Sequence, residues 1–153
     1  MWGTSKPAVD SAAELSISVL HPGEVRRAST WLGKACLERK VPADQFARLE
    51  ACLNEVLANI IDYGGATALE FPIGLRLEVR RDQGDSEATL TVCDSGAAFD
   101  PLASLLKPRP QSLADAEPGG LGLVMIRSLA DKLSYGHSGG RNGLRMGVGW
   151  TES

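Results

Sequence analysis

Two acidic side chains and one amide occupy positions from which they could bind a nucleotide or move a proton. Glu55 and Asn59 are four residues apart in the segment LNEVLANII, so a helix would place both on one face. Asp94 directly follows the apolar run TLTVC, and Gly96 is two residues further on, where the backbone can approach a ligand closely. A carboxylate can accept a proton, and an amide oxygen can ligate a hard cation. Taken singly, these patterns are also typical of a solvated helix face and of a turn.

A third pattern is rich in glycine. The run PGGLGL, from Pro118 to Leu123, opens a predicted helix, and nine of the 17 glycines lie between Gly119 and Gly149. Glycines at a helix N-terminus expose N–H groups that attract anions. Met125 stands at the third glycine position of a dinucleotide fingerprint, and no Gly-Lys-Ser/Thr follows. The run is therefore neither a Rossmann fingerprint nor a Walker A loop.

The segment GHSGG at residues 136–140 matches the nucleophile elbow G-x-S-x-G, with Ser138 as its serine. An elbow needs a strand, a sharp turn and a helix, with a histidine later in the chain. Here strand-like residues follow and no histidine does. We therefore predict a hairpin turn built from Gly136, Gly139, Gly140 and Gly143, and no hydrolase.

Hydrophobic periodicity predicts the elements that must position these residues. The predicted strands span 14–20, 69–81, 88–94, 132–136 and 144–150, and the predicted helices span 22–39, 42–63 and 121–133. Residues 1–13 are expected to form a disordered lead, and the proline-rich residues 95–119 a lid or binding loop. Strands that are adjacent in sequence predict an α+β fold: a two-layer sandwich of a mixed, mostly antiparallel sheet with helices on one face.

Composition excludes several function classes. The chain has 153 residues with 16 Lys and Arg against 19 Asp and Glu, hence a net charge of -3, which gives no basic surface for nucleic acid or an anionic membrane. No apolar run approaches the ~20 residues of a membrane span, and the first residues do not resemble a signal peptide. A cytoplasmic location is expected, with Cys36, Cys52 and Cys93 as reduced core residues.

In their order, the three patterns resemble the N, G1 and G2 boxes of the GHKL ATP-binding superfamily. These are Glu55-x-x-x-Asn59, Asp94-x-Gly96 and GLGL at residues 120–123. The chain resembles the single-domain branch, the anti-sigma-factor serine/threonine kinases of bacterial partner-switching systems. The resemblance implies a Bergerat ATP-binding fold over residues 14–153, with an ATP lid at about residues 97–119.

The resemblance also implies a role for each residue of the boxes. Asp94 would accept the exocyclic amino group of adenine, with Gly96 allowing the ring close to the backbone. Asn59 would ligate Mg²⁺, and Glu55 would be the general base. The phosphates of ATP would meet backbone N–H groups of the glycine-rich run, comprising Gly119, Gly120, Leu121, Gly122 and Leu123.

By the same resemblance, the protein substrate is a STAS-type anti-anti-sigma factor that is phosphorylated on serine or threonine. The second partner is a sigma factor or an equivalent regulator, which this chain would sequester. A homodimer is also implied, and Trp31, Phe46 and Trp150 are candidates for its interface if they are exposed.

Three positions depart from the family pattern. Ala98 stands where a second glycine is common, Tyr63 where a histidine is more usual, and Arg145 near a threonine that often supports the adenine-side water. An alternative function therefore stays open, in which nucleotide tunes the affinity for a partner and no phosphate is transferred.

Overall fold

The computed structural model describes residues 11–18, 22–63, 72–95 and 126–152, with the backbone alone for residues 22 and 61–63. The elements in chain order are β1 (Ser11–Ile17), α1 (Pro22–Glu38), α2 (Ala43–Tyr63), β2 (Ile73–Asp82), β3 (Asp85–Asp94), β4 (Lys132–Ser138) and β5 (Arg141–Thr151). Residues 126–129 are also helical. The strands form one sheet in the order β1-β2-β3-β5-β4, and all four pairings between them are antiparallel.

One face of the sheet carries the hydrophobic core. In its central rows Leu77 pairs with Leu90, which in turn pairs with Met146, and all three side chains are fully buried. Alternation along each strand sends every second side chain to this face. Both helices contribute to the same core, mainly through Leu32 of α1 and Leu49, Leu53 and Leu57 of α2. The predicted two-layer α+β sandwich is confirmed.

The opposite face of the sheet is polar. Glu78 on β2 accepts hydrogen bonds from Arg76 at 3.0 Å and from Arg80 at 3.2 Å, and Arg76 also pairs with Glu14 on β1. Partly exposed ion pairs of this kind contribute little to stability individually, typically below about 1 kcal/mol. Among the described residues, the core is therefore built on the helix side of the sheet.

Two tight turns close the hairpins. Gln83 and Gly84 have φ angles of 53° and 88°, and Gly139 and Gly140 have 60° and 76°. Two consecutive residues with positive φ are typical of type I′ turns, whose twist matches that of paired strands. Ser138 ends β4 immediately before the second turn, which agrees with a hairpin and not with a nucleophile elbow. The other two glycines assigned to this turn lie within the strands, where Gly136 pairs with Gly143.

Three predicted strand starts came too late. β5 begins at Arg141 and not at Leu144, because Arg141 to Gly143 pair with β4. β1 begins at Ser11 and not at Glu14, because Ala12 and Ala13 pair with β2. Residues 11–13 therefore belong to the sheet and not to a disordered lead. β3 begins at Asp85, three residues before the predicted start, because Asp85 to Glu87 pair with both neighbouring strands.

The three aromatic residues considered for a dimer interface are partly buried and pack against the core: Trp31, Phe46 and Trp150. They are therefore occupied within the fold. Among the residues described, no helix is both long enough and apolar enough to cross a membrane.

Two of the cysteines lie in the core between the helices and the sheet, and the third lies on the polar face of the sheet. Cys36 on α1 and Cys52 on α2 are buried, as predicted for core thiols, whereas Cys93 is half-buried on the polar face of β3. Burial raises the pKa of both core thiols from 9.0 to about 11, and at Cys36 it outweighs the opposing charge of Arg39.

We expect the free energy of unfolding to fall as pH rises from about 9 to about 11. The unfolded chain releases the protons of Cys36 and Cys52 at lower pH than the folded chain does, so alkali favours the unfolded state. Urea unfolding across this pH range should show a shallower decline for the Cys36→Ala, Cys52→Ala double variant. Cys93→Ala, which removes a thiol outside the core, is the matched control, and parallel profiles for the wild type and the double variant would contradict the explanation.

Candidate functional site

A stripe of side chains follows one flank of α2 at alternating spacings of three and four residues. It consists of Gln45, Arg48, Cys52, Glu55 and Asn59. Residues at these spacings lie above one another on a helix. Glu55 and Asn59 are both half-buried beside the fully buried stripe of the helix. The predicted pair therefore shares one flank, at the margin of the core.

Contacts at the start of α2 show which way this flank faces. Gln45 Nε2 donates a hydrogen bond to the carbonyl oxygen of Gly149 on β5 at 3.3 Å. On the other flank of the helix, Asn54 Oδ1 accepts a hydrogen bond from the Ser29 hydroxyl of α1 at 2.9 Å. Glu55 and Asn59 therefore lie on the side of α2 that is turned away from α1.

Asp131, the residue before β4, forms hydrogen bonds with the backbone of β5. The Asp131 N–H donates to the carbonyl oxygen of Gly147 at 2.8 Å, and its Oδ2 accepts from the Gly149 N–H at 2.7 Å. Arg48 Nη1 of α2 lies 3.8 Å from Asp131 Oδ1. A Cβ at Gly149 would lie 3.5 Å from the Ser86 carbonyl oxygen, which is an ordinary van der Waals distance. The two hydrogen bonds of Asp131 therefore join it to the backbone of β5 at Gly147 and Gly149.

Asp94 ends β3 on the helix-covered face of the sheet. It continues the alternating row that contains Leu90 and Val92, both buried. Its Oδ1 accepts a hydrogen bond from Asn142 Nδ2 of β5 at 3.1 Å, and the Tyr135 hydroxyl of β4 donates to Asn142 Oδ1. The predicted carboxylate is thus on the correct side of the sheet to face a ligand held under the helices.

Helix and strand lengths relate the α2 flank to Asp94. Asn59 lies about 21 Å beyond Gln45 along the helix, at about 1.5 Å per residue. Asn142, the partner of Asp94, lies about 24 Å from Gly149 along β5, at about 3.4 Å per residue. The helix packs against β5 and is joined to it where Gln45 meets Gly149. The two lengths are similar, so a helix aligned with β5 would bring Asn59 to the end of the sheet where Asp94 lies.

The glycine-rich part of the predicted site lies outside the described residues. This applies to Gly96, Gly119, Gly120, Leu121, Gly122 and Leu123, as well as to the lid at 97–119 and to Ala98. Of the predicted site residues, the structure therefore describes Glu55, Asn59 and Asp94.

The register of β3 and β5 shows where Arg145, one of the three departures from the family pattern, lies. Arg145 pairs with Thr91 and is exposed on the polar face of the sheet, because it alternates with the inward Leu144 and Met146. It therefore points away from the predicted site. Asn142 is a polar residue that contacts Asp94. Sequence reasoning missed it, since only strand pairing brings these two positions together.

The donor chemistry of the α2 flank fits a magnesium ion. Asn59 offers an amide oxygen, a hard ligand of the kind that Mg²⁺ prefers. Within the described ranges no three His, Cys, Asp or Glu residues form a metal cluster. Mg²⁺ does not need such a cluster, because it keeps several waters and uses one or two protein oxygens together with the phosphates of its nucleotide.

Comparison with known proteins identifies relatives over most of the chain. Residues 19–148 match the family described as the histidine kinase-like ATPase domain. The serine/threonine-protein kinase BtrW of Bordetella bronchiseptica is 34% identical over 116 residues, which cover 76% of this chain and 79% of that protein.

Two solved structures share the fold. The RsbU and RsbW domains of Rv1364c from Mycobacterium tuberculosis give a TM-score of 0.64 at 14% identity over 93% of this chain, which spans 34% of that longer chain. The SiaB-SiaC complex of Pseudomonas aeruginosa gives a TM-score of 0.57 at 13% identity, with 89% of this chain and 88% of that chain covered.

Proposed function

The chain belongs to the histidine kinase-like ATPase family, and we propose that it is an ATP- and Mg²⁺-dependent protein serine/threonine kinase of a bacterial partner switch. Its substrate is a STAS-type anti-anti-sigma factor. The observation that carries the proposal is the polar pair on α2 together with Asp94 on the helix-covered face. The relationship to a protein named a serine/threonine kinase supports the same activity.

Glu55 serves as the general base in this proposal. Its carboxylate takes the proton from the serine or threonine hydroxyl of the substrate as the hydroxyl oxygen bonds to the γ-phosphorus. The bond between the γ-phosphorus and the bridging oxygen of ADP breaks, and ADP leaves with that electron pair. Asp94 accepts a hydrogen bond from the adenine amino group, and this bond positions the nucleotide for the reaction.

Charge neutralisation completes the proposed site. Mg²⁺ held by the Asn59 amide oxygen would offset the negative charge of the phosphates. The N–H groups of the run from Gly119 to Leu123 would add further donors. Acidic net charge does not oppose ATP binding, because the phosphates meet this local cation and these local dipoles.

The proposed switch has two protein partners. The unphosphorylated STAS protein binds this chain and frees a sigma factor or an equivalent regulator, and phosphorylation reverses the exchange. A homodimer is part of the proposal. The three aromatic residues considered for its interface are partly buried against the core of their own chain and so do not meet the condition of exposure: Trp31, Phe46 and Trp150.

A phosphotransfer assay tests the proposal. The purified chain, Mg-ATP labelled at the γ-phosphate and the STAS protein encoded nearest to it should give a labelled STAS protein. The label should depend on Mg²⁺ and should disappear when the acceptor serine or threonine of the substrate is replaced by alanine. Tight binding of Mg-ATP without transfer to any STAS protein would instead select the alternative, a module that sequesters a partner under nucleotide control.

A further inference from the structure

Two residues outside the family motifs are connected to the Asp94 carboxylate by hydrogen bonds. Asn142 faces Asp94 across the β3–β5 pairing, and its Nδ2 donates to Asp94 Oδ1 at 3.1 Å. Tyr135, on β4, donates its hydroxyl hydrogen to Asn142 Oδ1. Asn142 is only 8% exposed, so water competes little for these bonds and each bond polarises the next.

The two bonds determine how the Asn142 amide is oriented. An ionised carboxylate can only accept hydrogen bonds, so the amide must present its NH₂ group to Asp94. Its oxygen then faces Tyr135, whose hydroxyl can donate. A carboxylate offers about four acceptor sites, so the bond from Asn142 leaves acceptor capacity for an amino group of a ligand.

We propose that Asn142, held by Tyr135, is a positioning residue that orients the Asp94 carboxylate to select purines carrying a 6-amino group. This inference rests on the proposed function, in which Asp94 reads adenine. Without the Asn142 amide, the carboxylate loses a buried donor and can rotate about its side-chain bond away from the ligand. The preference for adenine would then weaken even though Asp94 itself is unchanged.

A purely structural role for Asn142 makes a different prediction. If the residue only stabilised the end of the sheet, its loss would weaken the binding of every nucleotide by the same factor. A positioning role acts through the 6-amino group and therefore affects only nucleotides that carry it. ATP and purine riboside 5′-triphosphate differ in this group, so the ratio of their dissociation constants separates the two roles.

The experiment measures both dissociation constants, with Mg²⁺ present, for the wild type, Asn142→Ala and Tyr135→Phe. We expect the wild type to prefer ATP. The Kd for ATP should rise about tenfold in Asn142→Ala and about threefold in Tyr135→Phe, the range for losing one buried hydrogen bond. The Kd for purine riboside 5′-triphosphate should stay near its wild-type value in both variants.

Ser86→Ala is the matched control. Ser86 is a buried polar residue in the same inward row of β3, and its hydroxyl donates to Glu152 at 2.8 Å at the opposite end of the strand. This variant should keep the wild-type ratio. Equal weakening of both nucleotides, or an unchanged ratio in Asn142→Ala and Tyr135→Phe, overturns the positioning role and leaves the proposed function standing. A wild type without any preference for ATP overturns the positioning role together with the reading of adenine by Asp94, whereas failure of the kinase activity itself would show as absent phosphotransfer to the STAS protein.

Discussion

A Glu55→Gln variant is expected to phosphorylate its protein substrate about 10²- to 10⁴-fold more slowly than the wild type, while binding Mg-ATP with unchanged affinity. Glutamine has the same shape as glutamate but cannot take a proton from the attacking hydroxyl. Glu55 is half-buried on the α2 flank, so the substitution leaves the packing of the helix in place. Single-turnover transfer and calorimetric titration with Mg-ATP measure the two quantities separately.

Glu50→Gln provides the control for this experiment. Glu50 lies on the same helix and is also half-buried, but it is outside the stripe of Gln45, Arg48, Cys52, Glu55 and Asn59. It should transfer phosphate at the wild-type rate. Transfer by Glu55→Gln within about threefold of the wild type would rule out the assigned base, since general-base catalysis contributes at least about 10²-fold.

The second large effect is expected at the adenine end of the site. Asp94→Asn should weaken ATP binding by about 10- to 100-fold, because a hydrogen bond to a charged group contributes about 1.5–3 kcal/mol. The new amide presents an NH₂ group in a place where Asn142 already directs its own Nδ2 at 3.1 Å. Two donors then face each other, and the adenine amino group finds fewer acceptors. Titration with Mg-ATP measures the loss.

Asp85→Asn is the matched substitution at the other end of β3. Asp85 is exposed and accepts a long hydrogen bond of 3.4 Å from Thr151, far along the strand from Asp94. Its ATP affinity should equal that of the wild type. The assignment of Asp94 to adenine fails if Asp94→Asn, with a melting temperature close to the wild type, binds ATP as tightly as Asp85→Asn does.

Hydrophobic periodicity was sufficient to predict both long helices and the sheet. The apolar residues of α1 and α2 recur at helical spacing, and Leu75, Leu77 and Val79 alternate along β2. The strand starts were harder to predict. Ser11 to Ala13 and Asp85 to Glu87 carry no apolar alternation, and only their pairing with neighbouring strands extends β1 and β3 to include them. Strand pairing of this kind is a tertiary effect that local patterns do not contain.

The residues of the site also differ in whether local sequence patterns or only tertiary pairing could reveal them. The spacing of Glu55 and Asn59 is local, so the sequence could indicate that they share a helix flank. Asn142 is 48 residues from Asp94 and stands among glycines that looked like a turn, so nothing in the local pattern connected the two. The departure from the family pattern noted at Arg145 likewise depended on strand geometry, because successive residues of a strand point to opposite faces and Arg145 lies on the polar one.

The strand register that orients Asp94 on β3 is the same register that buries part of the hydrophobic core. Leu90 and Val92 precede the carboxylate on the same face, and both are buried. A slip of one residue would turn Asp94 outward and would also expose these two side chains, at about 1.5–3 kcal/mol each. That penalty is a large share of the roughly 5–15 kcal/mol that holds a domain folded. A chain that turns Asp94 outward therefore tends to unfold, and does not persist as a folded protein with a displaced carboxylate.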